Sequence, residues 1–382
     1  MSDTFFHGAR VTEVTEGARD LQARSTSIIA IVGTAPDADV DLFPVDTPVL
    51  VTDLPTAITD LGADGTLSPA LEAIFQITTP IVVIVRVTEG EGAEAAADTL
   101  ENIIGAAGPK TGLYALLGAE AAVGVKPKIL GVPGFGAETV TAALAIVAKK
   151  LNAFGYAGCD TADTIAEAVT YREEFSDREI MLIYGDFSSG DAIARALGMR
   201  AYLDETQGWH KSLSNVAVPG VTGAVPALHF DLQDPSSESG VLNAAAVTCI
   251  VQRNGYRFWG NRTCSDDPKF AFEPYVRTAQ VLRETIADGL MWAIDKPLHP
   301  TLARDILDTI NNEFRQLKAQ GRIIDGRAWL DPSMNTADTL AAGKLAIDYD
   351  YTPVPVLEDL ELTQRITDRY LVGFADEVNG AA

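Results

Sequence analysis

The chain has 382 residues, 47% of them hydrophobic and 21% charged, a balance that folds but is too long for one ordinary core and predicts two or three domains. Its 53 acidic and 29 basic residues leave a net charge of −24 spread along the whole sequence, which disfavours direct contact with nucleic-acid phosphates or anionic lipid. No apolar run approaches the ~20 residues of a membrane span, Cys159, Cys249 and Cys264 form no CxxC pair, and His7, His210, His229 and His299 are scattered, which argues against membrane insertion, a disulfide framework and a zinc site.

The opening MSDTFFHGAR lacks the basic and then apolar order of a signal peptide, so a cytoplasm-like compartment is expected. Residues 9–15, from Ala9, form a short alternating segment with Val11 inward and Thr12 and Glu13 flanking it. No hairpin partner follows at turn distance, so this strand has to find its neighbour elsewhere. The run 28–32, ended by Gly33 and a Pro/Asp loop, reads as a buried strand, 68–75 as a helix opened by Ser-Pro, and 79–87 as a second strand. From residue 98 the alternation continues: a helix at 98–104, a strand and Gly/Pro turn in PKILGVPGFG, an Ala-rich helix, the strand YAGCD, a well-capped helix in TADTIAEAVTYREEF, and the strand REIMLIYGDF. Such alternation predicts a mostly parallel sheet covered by helices.

Residues 208–240 are loop-rich, and the apolar segment that follows turns tightly at RNGYR, as a hairpin would. Two amphipathic helices come next, one carrying Val276, Leu282, Ile286 and Leu290, the other (301–319) carrying Leu302, Ile306, Ile310, Phe314 and Leu317. The end reads as two strands of period two, one with Leu345, Ile347 and Tyr349, the other with Leu357, Leu360 and Leu362. The fold class expected is therefore α/β (α+β overall) in several domains. A small α/β unit spans 25–97, a middle open α/β unit 98–264 and a C-terminal unit of helix pair and strands 265–353, with a strand left over at each end.

Four places could carry chemistry. Gly131, Gly134 and Gly136 lie between a strand and a helix, where a phosphate could sit, but the spacing is neither GxGxxG nor a P-loop. A soluble nucleotide-binding protein or enzyme with its site at this turn is the alternative reading, and a strand-to-helix turn explains the same residues. Asp186, Ser188, Ser189 and Asp191 follow a strand end, yet no serine elbow or nearby base accompanies them, and helix capping suits them equally. His210 beside Trp209 could form an aromatic platform, or lie on the surface. In GYRFWGNRT, Trp259, Gly260, Asn261, Arg262 and Thr263 suit a corner between domains with the indole buried and the guanidinium reaching across. If the indole is fully buried, Trp259→Ala costs about 3 to 5 kcal/mol.

LNAAAVTCIVQRNGYRFWGNRT resembles the signature of contractile tail sheath proteins at Asn243, Gly255, Trp259, Gly260, Arg262 and Thr263. TSIIAIVGTAP, IVVIVRV, KILGVPGF and LAIDYDYTPVP are similar to further segments of that family, in order along nearly the whole chain. The resemblance implies a structural protein without a cofactor and not an enzyme, stacked on itself as hexameric rings around a tail tube protein, with baseplate and tail terminator proteins as further partners. It also implies that the protein contracts to drive the tube through a cell envelope, assembling in the host bacterial cytoplasm and ending in a virion tail or bacteriocin particle. No direct nucleic-acid contact and no membrane insertion are expected. Residues 1–24 and 354–382 would be arms donated to neighbours, with Ala9, Val11, Glu13, Leu360 and Leu362 in the exchanged strands. Arg304, Arg315, Lys318 and Arg322, a basic cluster in the C-terminal helix pair, form the candidate tube-facing surface.

Overall fold

The structure is a computed structural model and describes residue 21 and residues 25–380. The expected strand at Ala9, Val11 and Glu13 lies outside the described residues.

One eight-stranded sheet organises the larger body. Its strands are β1 (Ile29–Thr34), β2 (Pro48–Val51), β3 (Val82–Val87), β4 (Ile129–Gly131), β5 (Phe154–Gly158), β6 (Ile180–Tyr184), β9 (Thr248–Gln252) and β10 (Tyr256–Trp259), in the order β10-β9-β6-β5-β4-β1-β3-β2. The six inner strands are parallel and the two edges antiparallel. A tiny second ladder joins β7 (Asp186–Phe187) to β8 (Ala224–Val225). Every residue of β1 and β3 is buried, as an apolar run covered on both faces requires. β1 hydrogen-bonds to β3 on one side and β4 on the other, so the units expected at 25–97 and 98–264 share one sheet.

Successive side chains of β1 divide two cores. Ile29 and Ile31 pack with α1 (Leu54–Asp60), α2 (Leu67–Phe75) and later α7 (Ala192–Thr206). Ala30 and Val32 pack on the other face, with α3 (Ala95–Ile104), α4 (Ala119–Val123), α5 (Glu138–Leu151), α6 (Ile165–Glu173) and α8 (Glu238–Ala244). The cap expected on α6 is a full capping box between Thr164 and Glu167. Strand β2 and helix α1 were not read from the sequence, because PVLV is short and only half buried at an edge.

A third core lies between α9 (Glu273–Gly289), α10 (Pro300–Ala319) and the antiparallel pair β11 (Ile323–Trp329) and β12 (Asp348–Pro353), with α11 (Ala337–Ala341) in the connection. Leu282, Ile286, Ile306, Ile310, Phe314 and Leu317 fill it, as the helical spacing predicted. Strand β11 was missed, since IIDGRAW buries only Ile323 and Ala328. The last expected strand is corrected: residues 354–367 form no strand, because no ladder partner lies beside them among the described residues. A short helix, α12 (Phe374–Gly380), follows.

Candidate functional site

The hairpin β9–β10 leads directly into the corner between the two bodies. Asn254 and Gly255 take positive φ at its tip (52° and 100°), which explains the tight turn. Gly260, directly after β10, has φ 148°, and a Cβ there would lie 2.7 Å from the Cα of Thr248. Only glycine fits that crossing. The Gly260 N–H donates to Ser214 Oγ (3.1 Å), and the Asn243 side chain donates to the Trp259 carbonyl (2.9 Å).

Past Gly260 the chain doubles back on itself. Arg262 pairs with Phe272, the Thr263 N–H donates to the Ala271 carbonyl (2.9 Å), and the Glu273 N–H donates to the Asn261 carbonyl (2.9 Å). Thr263 Oγ1 donates to the Phe270 carbonyl (2.7 Å) while accepting from the Ser265 N–H (3.1 Å). Ser212 donates to Asn261 Oδ1 at 2.5 Å. These bonds form a clasp that reverses the chain from β10 into α9.

The buried indole is not where the sequence placed it. Trp259 is only half buried, against Phe230 with ring centres 5.0 Å apart, and the fully buried ring of this strand is Phe258. Alternation along β10 sends Phe258 into the sheet's core and turns Trp259 to the opposite side. Trp209, 3% exposed, does the bridging instead: it follows α7 in the sheet body yet belongs to the third core, and Arg322 stacks over it at 4.4 Å.

Beside Trp209 lies a buried ionic network the sequence reading did not identify. Arg200 on α7 donates to Asp204 (2.9 Å), to Glu273 at the start of α9 (3.0 Å) and to the Lys211 carbonyl (2.6 Å). Arg277, one turn along α9, pairs with the same Asp204, and the Tyr156 hydroxyl donates to Glu273 (2.6 Å). Burial, with Glu273 beside it, pushes the Tyr156 hydroxyl well above its ordinary value, so it donates as a neutral phenol. Burial opposes the charge on Arg200, but Asp204 and Glu273 outweigh it and raise its pKa. A signal existed: α7 is buried nearly all round, so an arginine in ALGMRAYL needs a partner one turn away. Further along α9, Glu284 meets Lys126 (2.9 Å) and Lys128, and Gln280 donates to the Ala153 carbonyl (2.7 Å). One face of α9 is thus a polar seam against the sheet body.

The C-terminal segment touches the clasp. Arg262 holds Glu358 through two bonds (3.0 and 2.6 Å), and Leu357, Leu360, Leu362 and Ile366 face solvent. The four basic candidates divide: Arg304 and Arg315 are exposed on α10, Lys318 pairs with Asp325 (2.6 Å), and Arg322 is turned onto Trp209.

At the carboxyl ends of β4, β5 and β6 lies a cleft of about 440 Å³, the usual ligand position in an open α/β sheet. Its anion-binding groups are already taken. The Gly134 N–H donates to Asp191 (2.8 Å) and the Gly136 N–H to Asp160 (2.5 Å). Asp191 also caps α7 through the Ala194 N–H (2.7 Å), and burial, with Asp186 and Asp160 nearby, pushes its carboxyl up to about 7 against those bonds. Gly131 serves packing, since a Cβ would lie 2.9 Å from Leu197 of α7. Ser188 donates its backbone N–H to the Gly223 carbonyl (3.0 Å), Ser189 lies 3.5 Å from the Gly220 carbonyl, and neither is bonded to a general base among the described residues. Burial, then Arg322 and Arg200, lowers the His210 pKa. No nucleophile, base and oxyanion set converges here among the described residues.

Family models match three consecutive stretches: the Tail sheath protein Gp18 domain III N-terminal region at residues 26–87, the Phage tail sheath protein central domain at 108–264 and the Phage tail sheath C-terminal domain at 265–367. The tail sheath protein of Escherichia phage P2 is 49% identical over 395 residues, covering 99% of this chain and 100% of the relative. The major tail sheath protein of Serratia phage KSP20 is 43% identical, covering 100% of each. Among solved structures, the sheath complex of an extracellular contractile injection system (PVC) in the contracted state superposes with a TM-score of 0.72 at 17% identity, over 97% of this chain and 100% of that one. The helical sheath of the anti-feeding prophage in the contracted state gives 0.71 at 18% identity, over 94% and 98%.

Proposed function

The chain belongs to the phage tail sheath protein family, and we propose that it acts there as the structural subunit of a contractile sheath, stacking as hexameric rings around a tail tube and joined to its neighbours by donated strands. The observation that carries the strand donation is the segment after β12. Its apolar residues Leu360, Leu362 and Ile366 are 65%, 80% and 99% exposed, beside a β11–β12 ladder of only two strands. Two strands alone are marginal in water, and an alternating apolar segment without a ladder is suited to complete another copy's sheet. About five ladder bonds at a net ~1 kcal/mol each give a few kcal/mol per junction, repeated at every subunit.

Such a lattice stores the difference between its extended and contracted contacts, and this difference supplies the work of driving the tube. The role is structural and uses no cofactor. Tail tube, baseplate and tail terminator proteins are the partners, and the mature protein resides in a virion tail or related particle. Arg304 and Arg315, with Lys318 on the same helix, form the tube-facing side.

Negative-stain electron microscopy of the full-length chain across a concentration series tests the reading, with tubes or stacked rings expected. Removing residues 357–382, or separately 1–20, is expected to leave a folded chain that no longer polymerises. A truncated chain that still forms tubes overturns strand donation. Arg315→Glu with Lys318→Glu is expected to block assembly on the tube while self-association persists.

A further inference from the structure

The sheath role requires arms, but it does not require the ion pair between Arg262 and Glu358. Arg262 is held in place from the body side, because its backbone pairs with Phe272 and its guanidinium lies 5.4 Å from the Phe272 ring centre. Its Nε and one terminal nitrogen reach the two carboxylate oxygens of Glu358 at 3.0 and 2.6 Å, the planar fork that gives arginine pairs their direction. Between β12 and Glu358, residues 354–357 line a cleft of about 380 Å³ together with Ser212, Asn243, Trp259 and Asn261. The chain that leaves this point is the exposed apolar segment with Leu360, Leu362 and Ile366.

We propose that Arg262 and Glu358 form a latch, which holds the base of the C-terminal arm on its own body in the free subunit and opens when the arm is donated. The inference rests on the arm reading above. The pair is suited to opening, since the two side chains remain 42% and 35% exposed. A pair that wet shifts an equilibrium by no more than about fivefold. The main-chain bonds of an added strand outweigh it, so the latch slows unseeded donation without preventing it. The cleft beneath residues 354–357 leaves room for the strap to change course without disturbing a packed core.

The test uses the full-length chain with Glu358→Lys, Glu358→Gln and the reciprocal pair Arg262→Glu with Glu358→Arg. In dilute monomer, both single changes are expected to raise the rate of elastase cleavage within residues 354–357, which lie over the cleft, by up to about fivefold and to shorten the lag of self-assembly, with the melting temperature unchanged. The reciprocal pair is expected to restore both rates. Cleavage unchanged in both single variants, a longer lag, or a reciprocal pair no slower than the singles would overturn the latch. A chain lacking residues 359–382 separates this from the arm reading. If that chain still polymerises, the arm reading fails, while cleavage of the full-length variants decides the latch.

Discussion

At the scale of single residues the junction depends on Trp209 and Asp204. Trp209→Ala removes an indole that is 3% exposed and spans two bodies, and a loss of about 3–5 kcal/mol is expected from urea unfolding. Trp259→Ala, at a half-buried position, is expected to cost less, about 1–2 kcal/mol. Asp204→Ala leaves the buried Arg200 and Arg277 without their shared carboxylate, and about 3–5 kcal/mol is expected. Asp191 gives a pH dependence. Its carboxyl is raised from 3.8 to about 7, so between these values the folded chain keeps a proton that the unfolded chain has lost. Stability from this group is therefore full below the lower value and falls as pH rises through the upper one. Asp191→Asn should flatten that part of the stability-against-pH curve, and an unchanged slope in denaturation across the window would show that the group does not titrate there. Trp209 could not be told from Trp259 in the sequence, because which aromatic bridges two bodies is decided by contacts far apart in the chain.

Elements divide into those whose partners are local and those whose partners are not. Helices α5, α9 and α10 were legible from apolar stripes at helical spacing, and α6 from its capping box. The polar stripe of α9 was not, because Glu273, Arg277, Gln280 and Glu284 look like a solvated face until the sheet body is placed against them. Residues 354–367 carry a strand's alternation without a strand's bonds. Removing residues 359–382 should therefore leave the melting temperature of the body nearly unchanged, because Leu360, Leu362 and Ile366 bury little apolar area. A large drop would show that the segment packs on its own subunit.

On the scale of the whole molecule, the net charge of −24 makes copies repel one another before they meet. Screening shortens from about 10 Å at 0.1 M salt to about 3 Å at 1 M, so the concentration needed for self-assembly should fall as salt rises. Light scattering across a salt series measures this, and a threshold that rises with salt would mean that attractive ion pairs dominate the contacts. The sequence by itself determined the alternation of strands and helices, the hairpin and corner at 255–263, the helix pair and the apolar alternation of the last segment, though not its strand, because propensity, capping and hydrophobic period act over a few neighbouring residues. Only the tertiary structure decided that eight strands between residues 29 and 259 share one sheet, that Asp160 and Asp191 occupy the N–H groups of the glycine turn, and that Trp209 with the Arg200 network joins the bodies. Each of those depends on side chains scores of residues apart meeting in a buried, low-dielectric place, where a charge or an N–H must be paired and the sequence alone does not name its partner.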